Sequence, residues 1–190
     1  MRRGSNARRA PPGSVRIIAG EWRGRRLPVV PNSPVRPTPD RVRETLFNWL
    51  QADIAGARVL DLYAGTGALG FESLSRGAAE AWFVEQDAAL VAALSAQAEK
   101  FGVRPRIVRQ DAASLLRGGA PQRFDDVFLD PPYALAVEPL LELLPPWLAE
   151  HGVVYVERPQ PPGLPEAPGT EWRKRSRAGS VEYGLLRFAV

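Results

Sequence analysis

The sequence predicts an α/β fold with a doubly wound, mostly parallel sheet that an antiparallel C-terminal hairpin closes. Three observations support this prediction: strand and helix patterns alternate from residue 58 onward, a glycine-rich turn joins the first of these strands to the first helix, and an acidic residue follows each of several strands. Strands are expected near 58–62, 81–85, 106–110, 125–129 and 152–157, and helices near 68–76, 87–101, 111–117 and 136–149.

Two further hairpins are predicted at the ends of the chain. Apolar runs at 15–20 and 25–30 flank a turn at 21–24, which indicates a small N-terminal β-hairpin. Residues 171–177 and 180–190 predict the hairpin that closes the sheet. After the N-terminal hairpin, Thr38 is the expected N-cap of a helix that packs on the main sheet, and Pro39 is the expected first residue of that helix. We therefore divide the chain into a basic disordered tail (1–14), the N-terminal hairpin with a linker (15–37) and the main domain (38–190).

Composition limits the function classes. The chain has 190 residues, 45% of them hydrophobic, with no apolar run of transmembrane length and no secretory signal pattern, so a cytoplasmic protein is expected. It has no Cys and one His, which excludes disulfides, Cys/His metal clusters and a zinc deaminase. His151 is interpreted as an exposed capping residue at a helix end. No metal site is predicted.

Charge is distributed unevenly along the chain. Residues 1–43 hold eleven Arg against two acids, whereas residues 44–170 hold nine basic and seventeen acidic side chains. An Arg-rich segment beside an acidic body is suited to contact with phosphates, although a solvated tail is the alternative. Trp22 at the hairpin turn suits stacking on unpaired bases, and packing against its own hairpin is equally compatible. The candidate RNA-binding residues are Trp22 and Arg16, Arg23, Arg25, Arg26, Arg36, Arg41 and Arg43, the last three being expected near the ligand pocket.

The glycine turn follows the first strand of the main domain. Gly65 and Gly67 permit tight backbone turns and let N–H groups approach a ligand, and Gly70 allows close helix–strand packing. The next strand ends in Glu85, about twenty residues after the turn, where a carboxylate commonly binds ribose hydroxyls. The turn and the acid together predict an adenosine-type ligand.

The acids at this edge favour one such ligand. Asp61 lies just before the glycines, where its charge would oppose a pyrophosphate and attract an ammonium group. S-adenosylmethionine carries an amino group and a sulfonium but no phosphate, so it is favoured over a dinucleotide. Asp111, after the third strand, could receive the adenine amino group or cap the following helix, and both roles could coexist.

The most informative motif is Asp130-Pro131-Pro132-Tyr133, which follows an apolar strand. Asp130 offers a carboxylate and Pro131 a backbone carbonyl, and prolines make the turn stiff and rich in acceptors. Two adjacent acceptors can orient the exocyclic amine of a nucleobase, while Tyr133 supplies a face for stacking. An ordinary strand-ending turn is the alternative. Parallel strands bring Asp61, Glu85, Asp111 and Asp130 to one edge of the sheet, and this convergence favours a binding cleft.

The residues at 16–27, 36–48, 61–70 and 130–133 together resemble the RsmD family, and the resemblance covers roughly residues 15–190. It implies a Rossmann-like class I methyltransferase fold with residues 38–190 as the methyltransferase domain. It also implies S-adenosylmethionine as cofactor and methylation of the N2 amine of one guanine in 16S ribosomal RNA. The expected partner is the assembled or partly assembled small ribosomal subunit, and a monomer is expected.

The resemblance also implies residue roles. Asp130 and Pro131 would hold the guanine amine, Tyr133 would stack on the flipped base, and the attack would be in line on the sulfonium methyl. Two alternatives stay open at this point: an adenine-N6 or cytosine-N4 methyltransferase, and a non-catalytic RNA-binding assembly factor. The residues expected to line the cofactor site are Asp61, Gly65, Gly67, Glu85 and Asp111.

Overall fold

A seven-stranded sheet organises the protein. The computed structural model describes residues 13–31 and 38–189, and its main sheet has the order β5-β4-β3-β6-β7-β9-β8. Strands β3 to β7 are parallel, and β8 and β9 add an antiparallel hairpin to β7. The bounds are β3 Arg58–Asp61, β4 Glu80–Glu85, β5 Arg106–Arg109, β6 Phe124–Leu129, β7 Leu148–Pro159, β8 Thr170–Ala178 and β9 Val181–Phe188. The predicted fold class is therefore confirmed.

Helices fill the connections between the parallel strands. Each predicted helix up to residue 117 is present within a residue or two of its expected bounds. The helices are α1 Asp40–Trp49, α2 Ala68–Ser75, α3 Ala88–Phe101, α4 Ala112–Arg117 and α5 Glu138–Leu141, with a 3₁₀ turn at Pro145–Trp147.

The predicted helix over 136–149 is wrong in its second half. Helix α5 ends at Leu141, and Pro145 and Pro146 form a 3₁₀ turn because they lack the N–H groups that an α-helix needs. Strand β7 then begins at Leu148, so His151 lies on a strand and caps no helix, although it is exposed as expected.

The start of α1 also differs from the prediction. Pro39, rather than Thr38, occupies the N-cap position, and no side chain caps the helix. The Thr38 hydroxyl donates instead to Oδ2 of Asp130 at 3.5 Å. Residues 1–12 of the predicted tail (1–14) and residues 32–37 of the predicted hairpin and linker (15–37), including Arg36, lie outside the described residues. Ser14, the last residue of the predicted tail, begins the first strand of the N-terminal hairpin.

Two hydrophobic clusters cover the two faces of the sheet. One contains α1, α2 and α3 together with the N-terminal hairpin, whose strands are β1 Ser14–Arg16 and β2 Arg26–Pro28. The other contains α4 and α5. Backbone N–H groups of Ile18 and Ala19 donate to the buried Glu72 carboxylate at 2.7 and 3.0 Å, which fixes the hairpin to α2. Of the helices in the described ranges, none is long and apolar enough to span a bilayer.

Candidate active site

Four acidic residues lie at one edge of the sheet. Asp61 ends β3, Glu85 ends β4, Asp111 follows β5 and Asp130 follows β6. These four strands are neighbours in the order β5-β4-β3-β6, so their carboxyl ends meet. The structure thus brings the predicted acids to the same edge.

The glycine turn connects β3 to α2 through left-handed backbone. Gly65 has φ 52° and Gly67 has φ 76°, a region that side chains rarely adopt. A Cβ at Gly67 would lie 2.6 Å from Leu94 Cδ2, and one at Gly70 would lie 2.2 Å from Phe83 Cε1. Gly70 therefore permits the close helix–strand packing that the sequence predicted.

Glu85 is held in place by the backbone around it. The N–H of Gly65 donates to its Oε2 at 3.0 Å, and the N–H of Asp87 donates to its Oε1 at 2.9 Å. A carboxylate oxygen can accept more than one hydrogen bond, so Glu85 retains the capacity to accept from ribose hydroxyls.

Asp61 lies beneath the turn and is almost fully buried, with 4% exposure. Its Oδ2 accepts from the N–H of Gly70 at 3.1 Å. Burial raises its pKa to about 7, and the charge of Glu85 contributes. A cationic ligand group would stabilise the ionised carboxylate of Asp61 and so offset the cost of burying its charge. The residues present therefore fit S-adenosylmethionine: a buried carboxylate for the ammonium group and an oriented carboxylate for the ribose, beside a glycine turn in left-handed backbone.

Asp111 is the N-cap of α4. Its side chain accepts from the N–H of Ser114 at 2.9 Å, so the capping role foreseen for it is confirmed. The residue is exposed at the strand edge. Its contact with an adenine amino group stays a prediction.

The Asp130 to Tyr133 turn follows β6 directly. Burial raises the pKa of Asp130 well above its usual range, and the charges of Glu157 and Asp61 add to this effect. Tyr133 is 47% exposed, and its carbonyl oxygen accepts from Nη2 of Arg158 at 2.9 Å. The turn therefore offers a half-buried acid beside an exposed aromatic ring.

Sequence reasoning missed three residues around this turn: Thr38, Glu157 and Arg158. Thr38 was assigned to a helix cap, and the two β7 residues were taken as ordinary strand positions. A weak signal existed, because adjacent charged residues inside a strand of otherwise apolar character are unusual unless they have partners.

Two of the candidate RNA-binding residues are buried, and those predictions are wrong. Trp22 is 3% exposed and stacks on Phe101 at 4.3 Å between ring centroids, so its ring is unavailable to bases. Arg43 is fully buried and pairs with Asp40 at 2.6 Å and Glu72 at 3.6 Å. It neutralises a buried acid and is not exposed to phosphates. Arg16, Arg23, Arg25 and Arg41 are exposed, and Arg26 is half-buried.

The electrostatics and the fold define a class of protein. Carboxylates suited to an ammonium group and a ribose lie on two neighbouring strands, and an acceptor turn for a planar amine lies on the next strand. The protein is an S-adenosylmethionine-dependent methyltransferase.

Comparisons with known proteins place it in a family. The family model described as Conserved hypothetical protein 95 matches residues 15–187. The chain belongs to this family, which is the RsmD family that its sequence resembles.

Curated relatives and a solved structure agree with this assignment. Ribosomal RNA small subunit methyltransferase D of Escherichia coli K12 is 46% identical over 92% of this chain and 90% of its own length. The protein of the same name from Haemophilus influenzae is 39% identical over 92% of this chain and 94% of its own length. The solved structure of yhhF from Escherichia coli has a TM-score of 0.85 at 41% identity, covering 93% of this chain and 99% of that one.

Proposed function

We propose that the protein transfers a methyl group from S-adenosylmethionine to the N2 exocyclic amine of a specific guanine in 16S ribosomal RNA of the small subunit. The observation that carries this proposal is the position of the Asp130 to Tyr133 turn on β6, next to β3 with its glycine turn. Family membership supports the substrate class, since relatives along nearly the whole chain are named as small-subunit ribosomal RNA methyltransferases.

Each of the proposed cofactor-binding residues would contact a different part of the ligand. Asp61 would pair with the ammonium group, Glu85 would accept from the ribose hydroxyls, and Asp111 would receive the adenine amino group. Gly65 and Gly67 would let the ligand approach the backbone. When bound, S-adenosylmethionine supplies a methyl group made electrophilic by its sulfonium, so the chemistry needs no metal.

The turn on β6 would act on the acceptor base. Asp130 and the carbonyl of Pro131 accept hydrogen bonds from the amine and direct its lone pair, while Tyr133 stacks on the base. As the amine gains its bond to the methyl carbon, the bond from that carbon to the sulfonium sulfur would break and leave a neutral thioether. The amine becomes positively charged and must lose one proton. Asp130 is suited to stabilise that charge and take the proton, because its raised pKa makes it a stronger base than an exposed carboxylate.

Exposed arginines would bind the RNA backbone. Arg16, Arg23, Arg25 and Arg41 are exposed, and Arg26 is half-buried. The Arg16 guanidinium pairs with Asp40 at 3.4 Å, and that of Arg25 lies 5.4 Å from the centroid of the Phe101 ring. Arg36 belongs to the same proposed set. The partner would be the assembled or partly assembled small subunit, bound by a monomer in the cytoplasm.

The test is a labelled transfer reaction with identification of the product. Tritiated S-adenosylmethionine would be incubated with the protein and with small subunits from cells that lack it, alongside naked 16S RNA and DNA. N2-methylguanosine from the subunits supports the proposal. Label on adenine or cytosine, or in DNA, would overturn it in favour of the related amine chemistry. Binding of cofactor and RNA with no label would indicate an assembly factor.

A further inference from the structure

A second carboxylate, that of Glu157, lies beside Asp130. Strands β6 and β7 are parallel, and their register pairs Phe128 with Tyr155 and Leu129 with Val156. Asp130 follows Leu129 at the end of β6, and Glu157 follows Val156 within β7, so these two residues are the next pair in the same register. Paired positions of adjacent parallel strands are about 5 Å apart, so these two residues are neighbours across the strands.

Both side chains point to the same face of the sheet. The rings of Phe128 and Tyr155 meet edge to face at 6.2 Å on that face, and side-chain direction repeats every second residue. The electrostatics agree with this geometry, because Glu157 makes the largest charge contribution to the raised pKa of Asp130. The side chains of Asp130 and Glu157 therefore form an adjacent pair of carboxyl groups.

Glu157 has a fixed orientation. The residue is 4% exposed, and the hydroxyl of the fully buried Tyr155 donates to its Oε2 at 2.8 Å. Burial raises the pKa of Glu157, and the hydrogen bond from Tyr155 acts in the opposite direction by favouring the ionised form, in which both oxygens are acceptors only. A ligand that presents two neighbouring donors matches the pair when both carboxylates are ionised, and it offsets the cost of burying that charge.

The three amine-bearing bases differ in this respect. Guanine has an N1–H donor next to its N2 amine. Adenine has the acceptor N1 next to its N6 amine, and cytosine has the acceptor N3 next to its N4 amine. If N1 of adenine or N3 of cytosine faced the Glu157 carboxylate, the lone pairs of two acceptors would meet in a buried site. Such a contact is costly.

We propose that Glu157 accepts the N1–H of the target guanine while Asp130 holds the N2 amine, and that this second contact selects guanine over adenine and cytosine. The inference rests on the proposed function and adds a specificity-determining residue to the same site.

Bases that keep the 2-amine but lack N1–H test this inference. The mapped target guanine in small-subunit RNA would be replaced with 2,6-diaminopurine and, separately, with 2-aminopurine. Both analogues have an acceptor at N1 but differ at position 6. A lower kcat/KM for both of them, relative to guanine, would therefore be due to the N1 contact. The wild-type protein should methylate guanine about 10- to 100-fold faster, in kcat/KM, than either analogue.

The variant Glu157→Gln should change this ratio. Its amide can donate to an acceptor at N1, so the preference for guanine should fall at least about tenfold, partly through faster reaction with the analogues. Glu171→Gln is the matched control, since Glu171 is an exposed carboxylate on β8 and should leave the ratio unchanged.

The outcomes separate the possible failures. A wild-type ratio near one overturns the inference without need of any variant, so it stays falsifiable if Glu157→Gln is unstable. Equal loss with all three bases in Glu157→Gln also overturns it and indicates a structural role. Absence of N2-methylguanosine with the natural RNA overturns the proposed function and the inference together, whereas methylation of guanine without discrimination overturns the inference alone.

Discussion

The hydroxyl of Thr38 donates a hydrogen bond to Oδ2 of Asp130 at 3.5 Å. This contact links the residues before α1 to the turn after β6. It acts on Asp130 in the direction opposite to burial and to the charges of Glu157 and Asp61, since it lowers a pKa that they raise. Thr38 therefore helps to keep the amine-binding carboxyl ionised.

Replacement of Thr38 by Val should slow methyl transfer at neutral pH. Loss of the hydroxyl removes a contact that lowers the pKa of Asp130, so the acid limb of the kcat profile should move to higher pH. Thr45→Val is the control, because the Thr45 hydroxyl donates to the Arg41 carbonyl within α1. An unchanged pH profile in Thr38→Val would show that the contact has no effect on the acid.

Cofactor affinity should fall as pH falls through about 7. Asp61 has its pKa raised to about 7, and only its ionised form attracts an ammonium group. Below that pH, binding must first remove a proton from the carboxyl. Isothermal titration calorimetry in buffers of different ionisation enthalpy should detect the released proton near pH 6.

Variants of two acids make this prediction specific. Asp61→Asn should bind the cofactor more weakly and lose the dependence on pH in this range. Asp53→Asn alters an exposed acid and should behave as wild type. An affinity that is constant from pH 6 to 8 in the wild type would argue against an ionic role for Asp61.

Gly70→Ala should destabilise the protein by about 1–3 kcal/mol. The added Cβ would lie 2.2 Å from Phe83 Cε1, so α2 would have to move away from β4. Chemical denaturation measures the loss. Gly118→Ala is the control, because its φ of −70° suits any residue and the nearest atom to its added Cβ, Leu115 O at 3.2 Å, needs to shift by only a few tenths of an ångström. Equal stability of the two variants would contradict the packing argument.

Arg23→Ala should weaken RNA binding and reduce the slope of log affinity against log salt by about 1. Arg23 is exposed at the tip of the N-terminal hairpin, where loss of one phosphate contact should not disturb packing. Arg117→Ala, at the exposed end of α4, serves as the control. A salt slope equal to that of the wild type would remove Arg23 from the binding surface.

The sequence predicted the central sheet well because its signals there are local. Apolar strands separated by amphipathic helices specify a parallel sheet, and chain order then places Asp61, Glu85 and Asp130 at one edge. The glycine turn was predicted for the same reason, since its conformations depend on its own residues. The error at 136–149 arose where apolar periodicity outweighed the effect of Pro145 and Pro146.

Long-range contacts could not be predicted in the same way. Trp22 was a candidate for stacking on RNA bases, with packing against its own hairpin as the alternative, but its partner Phe101 lies at the end of α3, far along the chain. Arg43 was assigned to phosphate binding, yet it pairs with Glu72 inside the protein. Glu157 gave no motif of its own, and only strand register places it beside Asp130. Such contacts depend on tertiary packing, which charge patterns alone do not specify.

The most direct test of the proposed role of Asp130 compares wild type with Asp130→Ala in two parallel measurements: affinity for S-adenosylmethionine, and N2-methylguanosine formed in small subunits. We expect the wild type to form this nucleoside, and the variant to bind the cofactor equally well but to form none, because the acceptor for the amine is gone. Methyl transfer by Asp130→Ala at the wild-type rate, or a wild-type product other than N2-methylguanosine, would contradict this expectation.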